Sequence, residues 1–202
     1  MRDTILQELS AKDAVLSKII QAIPSPKIES SQDVFHDLMS CVLEQQIHYR
    51  STKNIFKKML QRAEIDKLSL DNFDVFEQKG ISSIKLSESK YETVLRVIEY
   101  FSNNQPEWNN LPDSEVIEKL SSIKGIGKWT IDMILLYTLE RPNVFPFDDF
   151  HLKQIMVSEY ALNEKQKLKA QMLNISENWG KQKSLAVKYL LGYKEYLKKG
   201  GM

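Results

Sequence analysis

Two short segments of this sequence carry residue types that can hold an anion and act beside it. The first is Gly125-Ile126-Gly127, which joins two apolar stretches with helical spacing. Glycine permits positive φ angles and close approach to the backbone, so the amides at the mouth of the second helix can bind a phosphate. The second is the acidic pair Asp148-Asp149, which opens another helical stretch. Together they suggest that one element binds the phosphates of a nucleic-acid backbone while the other supplies a carboxylate that could act as a catalytic group.

Both segments also have purely structural interpretations. A Gly-x-Gly pair suits a helix C-cap followed by a tight turn that binds nothing. An aspartate that follows Pro146 suits a helix N-cap. Two adjacent acids exceed what a cap requires, and each raises the cost of ionising the other. We therefore expect one of Asp148 and Asp149 to cap the helix and the other to point into a cleft.

Composition limits the classes of protein that the chain can represent. Its 202 residues suit one domain or two lobes, and 42% hydrophobic with 27% charged residues is typical of a soluble globular protein. The net charge is +1, so a polyanion must be bound by a local surface. The single cysteine, Cys41, excludes a disulfide framework and a cysteine-ligated zinc or iron–sulfur site. The absence of a signal-like start or a membrane-spanning stretch predicts a cytoplasmic protein.

The chain is expected to be all-α. Its few glycines and prolines lie at the boundaries of periodic segments, and no segment has the alternation of a strand. One helix is predicted from about Ser31, whose hydroxyl suits an N-cap, to about Ile47. From Gly127 to Leu139 the only charged residues are Lys128 and Asp132, which predicts a central, enclosed helix.

The block from Leu120 to Thr130, with an aspartate at 149, closely resembles the helix–hairpin–helix DNA glycosylase superfamily. Within it the chain is most similar to the 3-methyladenine DNA glycosylase II branch of bacterial and yeast type. The resemblance covers roughly residues 35 to 190. It implies one two-lobed helical unit with its active site in the cleft between the lobes. Residues 1–202 would form a single glycosylase unit. Its first lobe would be 31–140, which ends in the helix–hairpin–helix at about 113–139, and its second lobe would be 1–30 plus 150–202.

The resemblance also implies an activity. Asp149 matches the family's catalytic aspartate, and Trp129 stands where members that also nick the strand have a lysine. The implied enzyme is therefore monofunctional, hydrolysing the glycosidic bond of alkylated purines such as 3-methyladenine and 7-methylguanine in double-stranded DNA, in base-excision repair. It would act as a monomer, without cofactor and away from membranes. A glycosylase for another damaged base and a non-catalytic DNA-binding module remain the alternatives.

The hairpin of that family holds DNA phosphates, often with a monovalent cation on its carbonyls. Carried over to this chain, the resemblance implies two sets of residues. The DNA-binding set is Gly125, Ile126, Gly127, Lys128 and Thr130. The carbonyls that would hold Na⁺ or K⁺ are those of Ser121, Ile123 and Ile126.

A base must leave the helical stack before a carboxylate can act on its sugar, which requires a pocket and a plug. The resemblance implies that Trp129 and Met133 line the pocket, although both also suit the core of a buried helix. Met133 occupies the place of a tyrosine in the bacterial relative. Residues 43–51 resemble the family segment that inserts a residue into the duplex. The wedge is His48 by the yeast-type pattern and Gln46 by the bacterial one, and a surface position is the alternative for the histidine.

Two departures from the family pattern concern DNA contact. Glu44 replaces a glycine before the wedge, and its negative charge opposes close approach of DNA. The segment that begins at Trp179 has Lys181 in place of a proline and Lys183 in place of an arginine, which removes bidentate phosphate contacts. Ser184 keeps the family's serine and is predicted to cap the last helix.

Overall fold

The computed structural model describes residues 2–26, 30–44 and 53–200. No strand occurs in these ranges, and the expected all-α fold class is confirmed. None of the described helices is long and apolar enough to cross a membrane. The α-helices are α1 (Arg2–Lys12), α2 (Ala14–Ala22), α3 (Val34–Leu43), α4 (Lys53–Ala63), α5 (Phe73–Val75), α6 (Glu88–Asn103), α7 (Asp113–Ser121), α8 (Lys128–Met133), α9 (Phe150–Glu159), α10 (Leu168–Glu177) and α11 (Lys183–Lys198).

The chain folds into two compact units. The terminal unit combines Met1–Ile28 with Glu140–Met202, and the central unit is Glu29–Leu139. The central unit therefore contains the glycine hairpin, whereas the terminal unit contains Asp149.

Helix α3 forms the core of the central unit. It packs against α4, α6 and α8, and eight of its ten residues are buried. Its N-cap is Asp33, which accepts a hydrogen bond from the His36 amide at 3.0 Å. The expected cap at Ser31 is wrong, because the Ser31 hydroxyl instead accepts the Asp33 amide at 3.2 Å and supports the true cap. The partly buried Asp37 connects α3 to residue 138, near the end of the hairpin, because its carboxylate accepts the Thr138 hydroxyl at 2.8 Å.

The hairpin consists of α7, a turn at residues 122–127, and α8, which continues into a π-helical turn at Ile134–Thr138. Every residue from Thr130 to Thr138 is buried. The sequence prediction of an enclosed helix here is confirmed, since its apolar residues cover the whole circumference and not one face.

In the terminal unit α11 packs against α2 and α9. The buried carboxylate of Asp13 connects the two chain segments that make up this unit. Asp13 caps α2 through the Leu16 amide at 2.9 Å, and its other oxygen accepts the Tyr160 hydroxyl at 2.7 Å and the Trp179 indole N–H at 2.8 Å. Burial and the adjacent carboxylate both raise the pKa of Tyr160, so the phenol stays protonated and donates.

Candidate functional site

The turn of the hairpin requires glycine at one position for two independent reasons. Gly125 has φ +104°, a conformation that side chains disfavour. A Cβ at this position would lie 2.3 Å from Thr93 Oγ1 and 2.8 Å from its Cγ2. Gly125 therefore packs the turn against α6, and the need for this glycine is explained without a ligand.

Gly127 has a different environment. It is exposed, its φ of −94° is accessible to any residue, and nothing lies within 4 Å of a Cβ built on it. It is the N-cap of α8, and its carbonyl accepts the first bond of that helix from the Ile131 amide at 3.2 Å. Neither backbone strain nor packing requires glycine here. The effect of glycine at this position is to leave open space above the backbone.

The predicted DNA-binding residues of the hairpin do not share one environment. Ile126 is 7% exposed and its amide donates to the Ile123 carbonyl at 3.0 Å, a bond that closes the turn. Ile123 is one of the predicted cation ligands, and a carbonyl has a second lone pair for an ion. Thr130 is 1% exposed as a whole residue, so it lies in the core of α8 and presents no surface of its own to a ligand. The Lys128 ammonium, half exposed, pairs with the buried Asp132 carboxylate at 2.5 Å.

The two predicted pocket residues also differ. Trp129 is half-buried, whereas Met133 is 1% exposed. The burial of Met133 favours its alternative role as a core residue of α8. The predicted wedge residues, Gln46 and His48, lie outside the described residues.

Glu44, which the sequence presents as a charge facing DNA, is 2% exposed. One carboxylate oxygen accepts the Phe56 amide in the first turns of α4 at 3.1 Å, and the other accepts the Ser40 hydroxyl at 3.4 Å. A carboxylate at this end of a helix is favourable because it faces the positive end of the helix dipole. Glu44 therefore joins the end of α3 to the start of α4, a role that its position in the sequence does not reveal.

Asp149 is 5% exposed and is itself the N-cap of α9, with its Oδ1 accepting the Leu152 amide at 2.7 Å. Asp148 is half exposed and lies 3.8 Å from the Lys153 ammonium. The expectation that one of the two acids caps the helix is therefore confirmed, and the cap is Asp149, which is also the candidate catalytic residue. The capping bond fixes the orientation of the Asp149 carboxylate, because it holds one oxygen against the helix backbone.

The segment before Asp149 is anchored to the start of α11. The Ser184 hydroxyl donates to the Arg141 carbonyl at 2.5 Å and accepts the Val144 amide at 2.9 Å, and the Ser184 amide donates to the Pro142 carbonyl at 3.0 Å. The prediction that Ser184 caps α11 is wrong, since it lies inside the helix as the second residue. Its hydrogen bonds hold residues 141–144, which lead to Asp149.

The segment at Trp179 has the same structural function. The buried indole packs edge-on against Phe145, with ring centroids 5.7 Å apart. Lys183, in place of the family's arginine, is bound to Glu177 at 2.7 Å. Two residues on either side of the start of α11, Trp179 and Ser184, thus determine where the 141–145 segment runs.

Comparisons with known proteins find similar sequences and a similar fold among DNA glycosylases. No model of a protein family matches the chain. DNA-3-methyladenine glycosylase 1 of Schizosaccharomyces pombe is 26% identical over 155 residues, which cover 72% of this chain and 67% of that protein. A putative DNA-3-methyladenine glycosylase of Bacillus subtilis is 24% identical over 184 residues, which cover 87% of this chain. The match spans 64% of the length of that second relative.

A solved structure of 3-methyladenine DNA glycosylase from Schizosaccharomyces pombe, in complex with abasic DNA, has the same fold. Its TM-score is 0.71 at 24% identity, covering 93% of this chain and 95% of that one. The all-α fold of the described residues is thus the fold of solved DNA glycosylase structures. In sequence the chain is similar to these two 3-methyladenine glycosylases over most of its length.

Proposed function

We propose that this chain is a DNA glycosylase that hydrolyses the N-glycosidic bond of alkylated purines, such as 3-methyladenine and 7-methylguanine, in double-stranded DNA. The observation that carries the proposal is the Asp149 carboxylate, which is buried and held at the start of α9 by the Leu152 amide. The relatives that match most of the chain bear the name of this activity. That Asp149 and the hairpin face one cleft stays a prediction.

The reaction suits a single fixed carboxylate. When the bond between the sugar C1′ and the base nitrogen breaks, both electrons leave with the base and positive charge develops on the sugar ring. A carboxylate that is already oriented stabilises this charge without reorganising. Water then forms the new bond to C1′, and the carboxylate orients it and accepts its proton. An alkylated purine is cationic, so it departs as a neutral base and needs no general acid.

The hairpin would bind the DNA backbone at the start of α8. The open space over Gly127 admits a phosphate to the first-turn amides, which point along the positive end of the helix. A cationic base that has left the stack would be attracted to the face of Trp129. These roles, and a Na⁺ or K⁺ on the carbonyls of Ser121, Ile123 and Ile126, are parts of the proposal.

We further propose that the enzyme leaves the strand intact. Lyase chemistry in this superfamily needs an amine to attack C1′ and form a Schiff base. The hairpin position that would supply it is occupied by Trp129, and the neighbouring Lys128 is held by Asp132. The expected product is therefore an abasic site in a continuous strand.

The decisive experiment treats purine-methylated DNA with the unaltered protein, with Asp149→Asn and with Asp148→Asn. Asparagine caps helices as well as aspartate, so Asp149→Asn removes the charge while preserving the start of α9. We expect release of methylated bases to fall at least about 100-fold in Asp149→Asn, the scale of losing one electrostatic transition-state contact. Asp148→Asn, matched in chemistry and next in sequence, should retain activity.

Two further readouts separate the alternatives. Strand breaks that appear only after alkali support the monofunctional reaction, and breaks without alkali contradict it. Preferential release of a neutral damaged base would indicate a glycosylase for another lesion. Salt-dependent DNA binding without release of any base, equal in all three proteins, would indicate a binding module.

A further inference from the structure

A lysine from α11 is fixed against the first turns of the helix that Asp149 caps. The Lys194 ammonium lies 2.7 Å from His151 Nδ1 and also contacts the side-chain oxygen of Gln154. An ammonium only donates, so His151 accepts through Nδ1 and carries its proton on Nε2. Both of these partners are neutral acceptors. They orient the positive charge of Lys194 and do not cancel it.

The surroundings of Lys194 act on its positive charge in both directions. Partial burial lowers the pKa of Lys194, and the positive charge of Lys198 lowers it further, while Asp149 acts in the opposite direction. The start of α9 adds the positive end of a helix dipole, which favours anions and not lysines. A partly buried lysine whose pKa is shifted by burial and by specific neighbouring charges is a candidate for a binding residue.

An exposed aromatic ring lies beside this lysine. Phe150 is 60% exposed, the largest exposed fraction among the bulky apolar side chains of the described residues. The Lys194 ammonium lies 5.5 Å from the centroid of its ring. A fixed cation next to an exposed aromatic face is the combination with which proteins hold nucleic-acid strands, the cation on phosphate and the ring on sugar or base.

We propose that Lys194 binds a phosphate of the DNA backbone beside Asp149. This inference rests on the proposed function, because a nucleotide whose C1′ meets Asp149 brings its own phosphates to the same end of α9. Lysine suits this task as a point charge, without the bidentate geometry of arginine. With a net charge of only +1, the chain depends on such local contacts for DNA affinity. The terminal unit then contributes a backbone contact of its own, separate from the hairpin.

The test measures binding to a duplex that contains a tetrahydrofuran abasic analogue, over a series of salt concentrations. Each phosphate contact contributes about 0.9 to the slope of log K against log salt. We expect Lys194→Ala to weaken binding and to lower that slope by about 0.9, whereas Lys194→Arg should keep the slope of the unaltered protein. Lys194→Gln keeps a polar side chain between His151 and Gln154 but has no charge, so its salt slope should be lowered as much as that of Lys194→Ala.

Lys165→Ala is the matched control, since Lys165 is an exposed lysine of the same unit beyond the opposite end of α9. It should leave the slope unchanged. For base release we expect Lys194→Ala to raise KM and leave kcat nearly constant, because a backbone contact made equally in ground and transition states changes only KM. A merely structural role would lower the melting temperature and leave the salt slope as it was.

The outcomes distinguish this inference from the proposed function. An unchanged salt slope in Lys194→Ala and Lys194→Gln overturns the role of Lys194, even if methylated bases are released. If the unaltered protein binds DNA but releases no base, the proposed function fails while the salt slopes still decide the role of Lys194. Failure of the unaltered protein to bind DNA at any salt concentration overturns both.

Discussion

The hairpin and the start of α9 differ in the sequence separation of the contacts that hold them in place. The hairpin is built from residues that are close in sequence, since the Ile126 amide bonds to the Ile123 carbonyl and Gly125 turns the chain locally. The start of α9 depends on distant residues, because Ser184 holds Arg141 and Val144 across about forty residues of chain. Local construction makes a motif that the sequence displays, whereas long-range construction leaves only scattered residues.

This difference extends to what each region offers a ligand. In the proposed function the hairpin would bind its ligands through backbone amides and carbonyls, and its side chains would matter mainly where they leave the backbone accessible. At the start of α9 the functional groups are side chains, Asp149 and Lys194, whose orientation depends on their hydrogen-bond partners. We therefore expect substitutions in the hairpin to act by adding atoms that crowd the backbone. Substitutions at the start of α9 should act by removing hydrogen bonds or charges.

The largest effect on stability should come from Gly125→Ala. The positive φ costs about 1–2 kcal/mol for a residue with a side chain, and crowding against Thr93 adds a similar amount. We expect the free energy of unfolding to fall by about 3 kcal/mol in urea denaturation. A loss below about 1 kcal/mol would show that the turn rearranges cheaply and that Gly125 is not the fixed point of the hairpin.

Gly127→Ala is the matched control and separates folding from binding. Its Cβ meets no atom within 4 Å, so stability should change by no more than about 1 kcal/mol, the cost of a weaker N-cap. The same methyl group would occupy the space over the first-turn amides, and DNA affinity should fall. If Gly127→Ala binds DNA as the unaltered protein does, the phosphate does not approach the backbone at this glycine.

The sequence predicted the hairpin and the helix that starts at Asp149 because both depend on neighbouring residues. It misplaced the cap of α3 by two residues, since Ser31 and Asp33 are both good caps and only the fold decides between them. It assigned Glu44 to a DNA-facing surface, because a buried acid is recognisable only when its partner is known. That partner, the Phe56 amide, belongs to the next helix.

An effect of intermediate size is expected for Ser184→Ala. The substitution removes two hydrogen bonds and leaves the Val144 amide buried without its acceptor, which costs about 2 kcal/mol. Because the same segment leads to Asp149, base release should also slow at saturating DNA. The measurements are urea denaturation and single-turnover release of methylated bases.

Ser176→Ala provides the comparison for that variant. Ser176 is a fully buried serine of the same unit, but its hydroxyl donates to the Leu173 carbonyl of its own helix at 2.8 Å. The substitution should cost less than about 1 kcal/mol and leave the rate of base release unchanged. Equal effects of the two substitutions on that rate would mean that Ser184 acts only through general stability and does not position Asp149.

Ser184 and Lys194 show why the rest of this region was not predictable from sequence. A serine at the start of a helical stretch is most simply interpreted as a cap, and its true partners lie at Arg141 and Val144. Lys194 is one of several lysines in α11, and nothing local distinguishes it. Only the packing of α11 against α9 brings its ammonium to His151.

The smallest effect should come from Lys128→Ala, although the sequence makes this lysine the obvious phosphate contact of the hairpin. Its ammonium is paired with the buried Asp132 carboxylate, so its charge is largely neutralised within α8. We expect the salt slope of DNA binding to change by clearly less than the 0.9 of one phosphate contact. Lys124→Ala removes an exposed lysine of the same turn and serves as the comparison. A full loss of 0.9 in Lys128→Ala would mean that DNA displaces Asp132, and that the hairpin uses a side-chain charge as the start of α9 does.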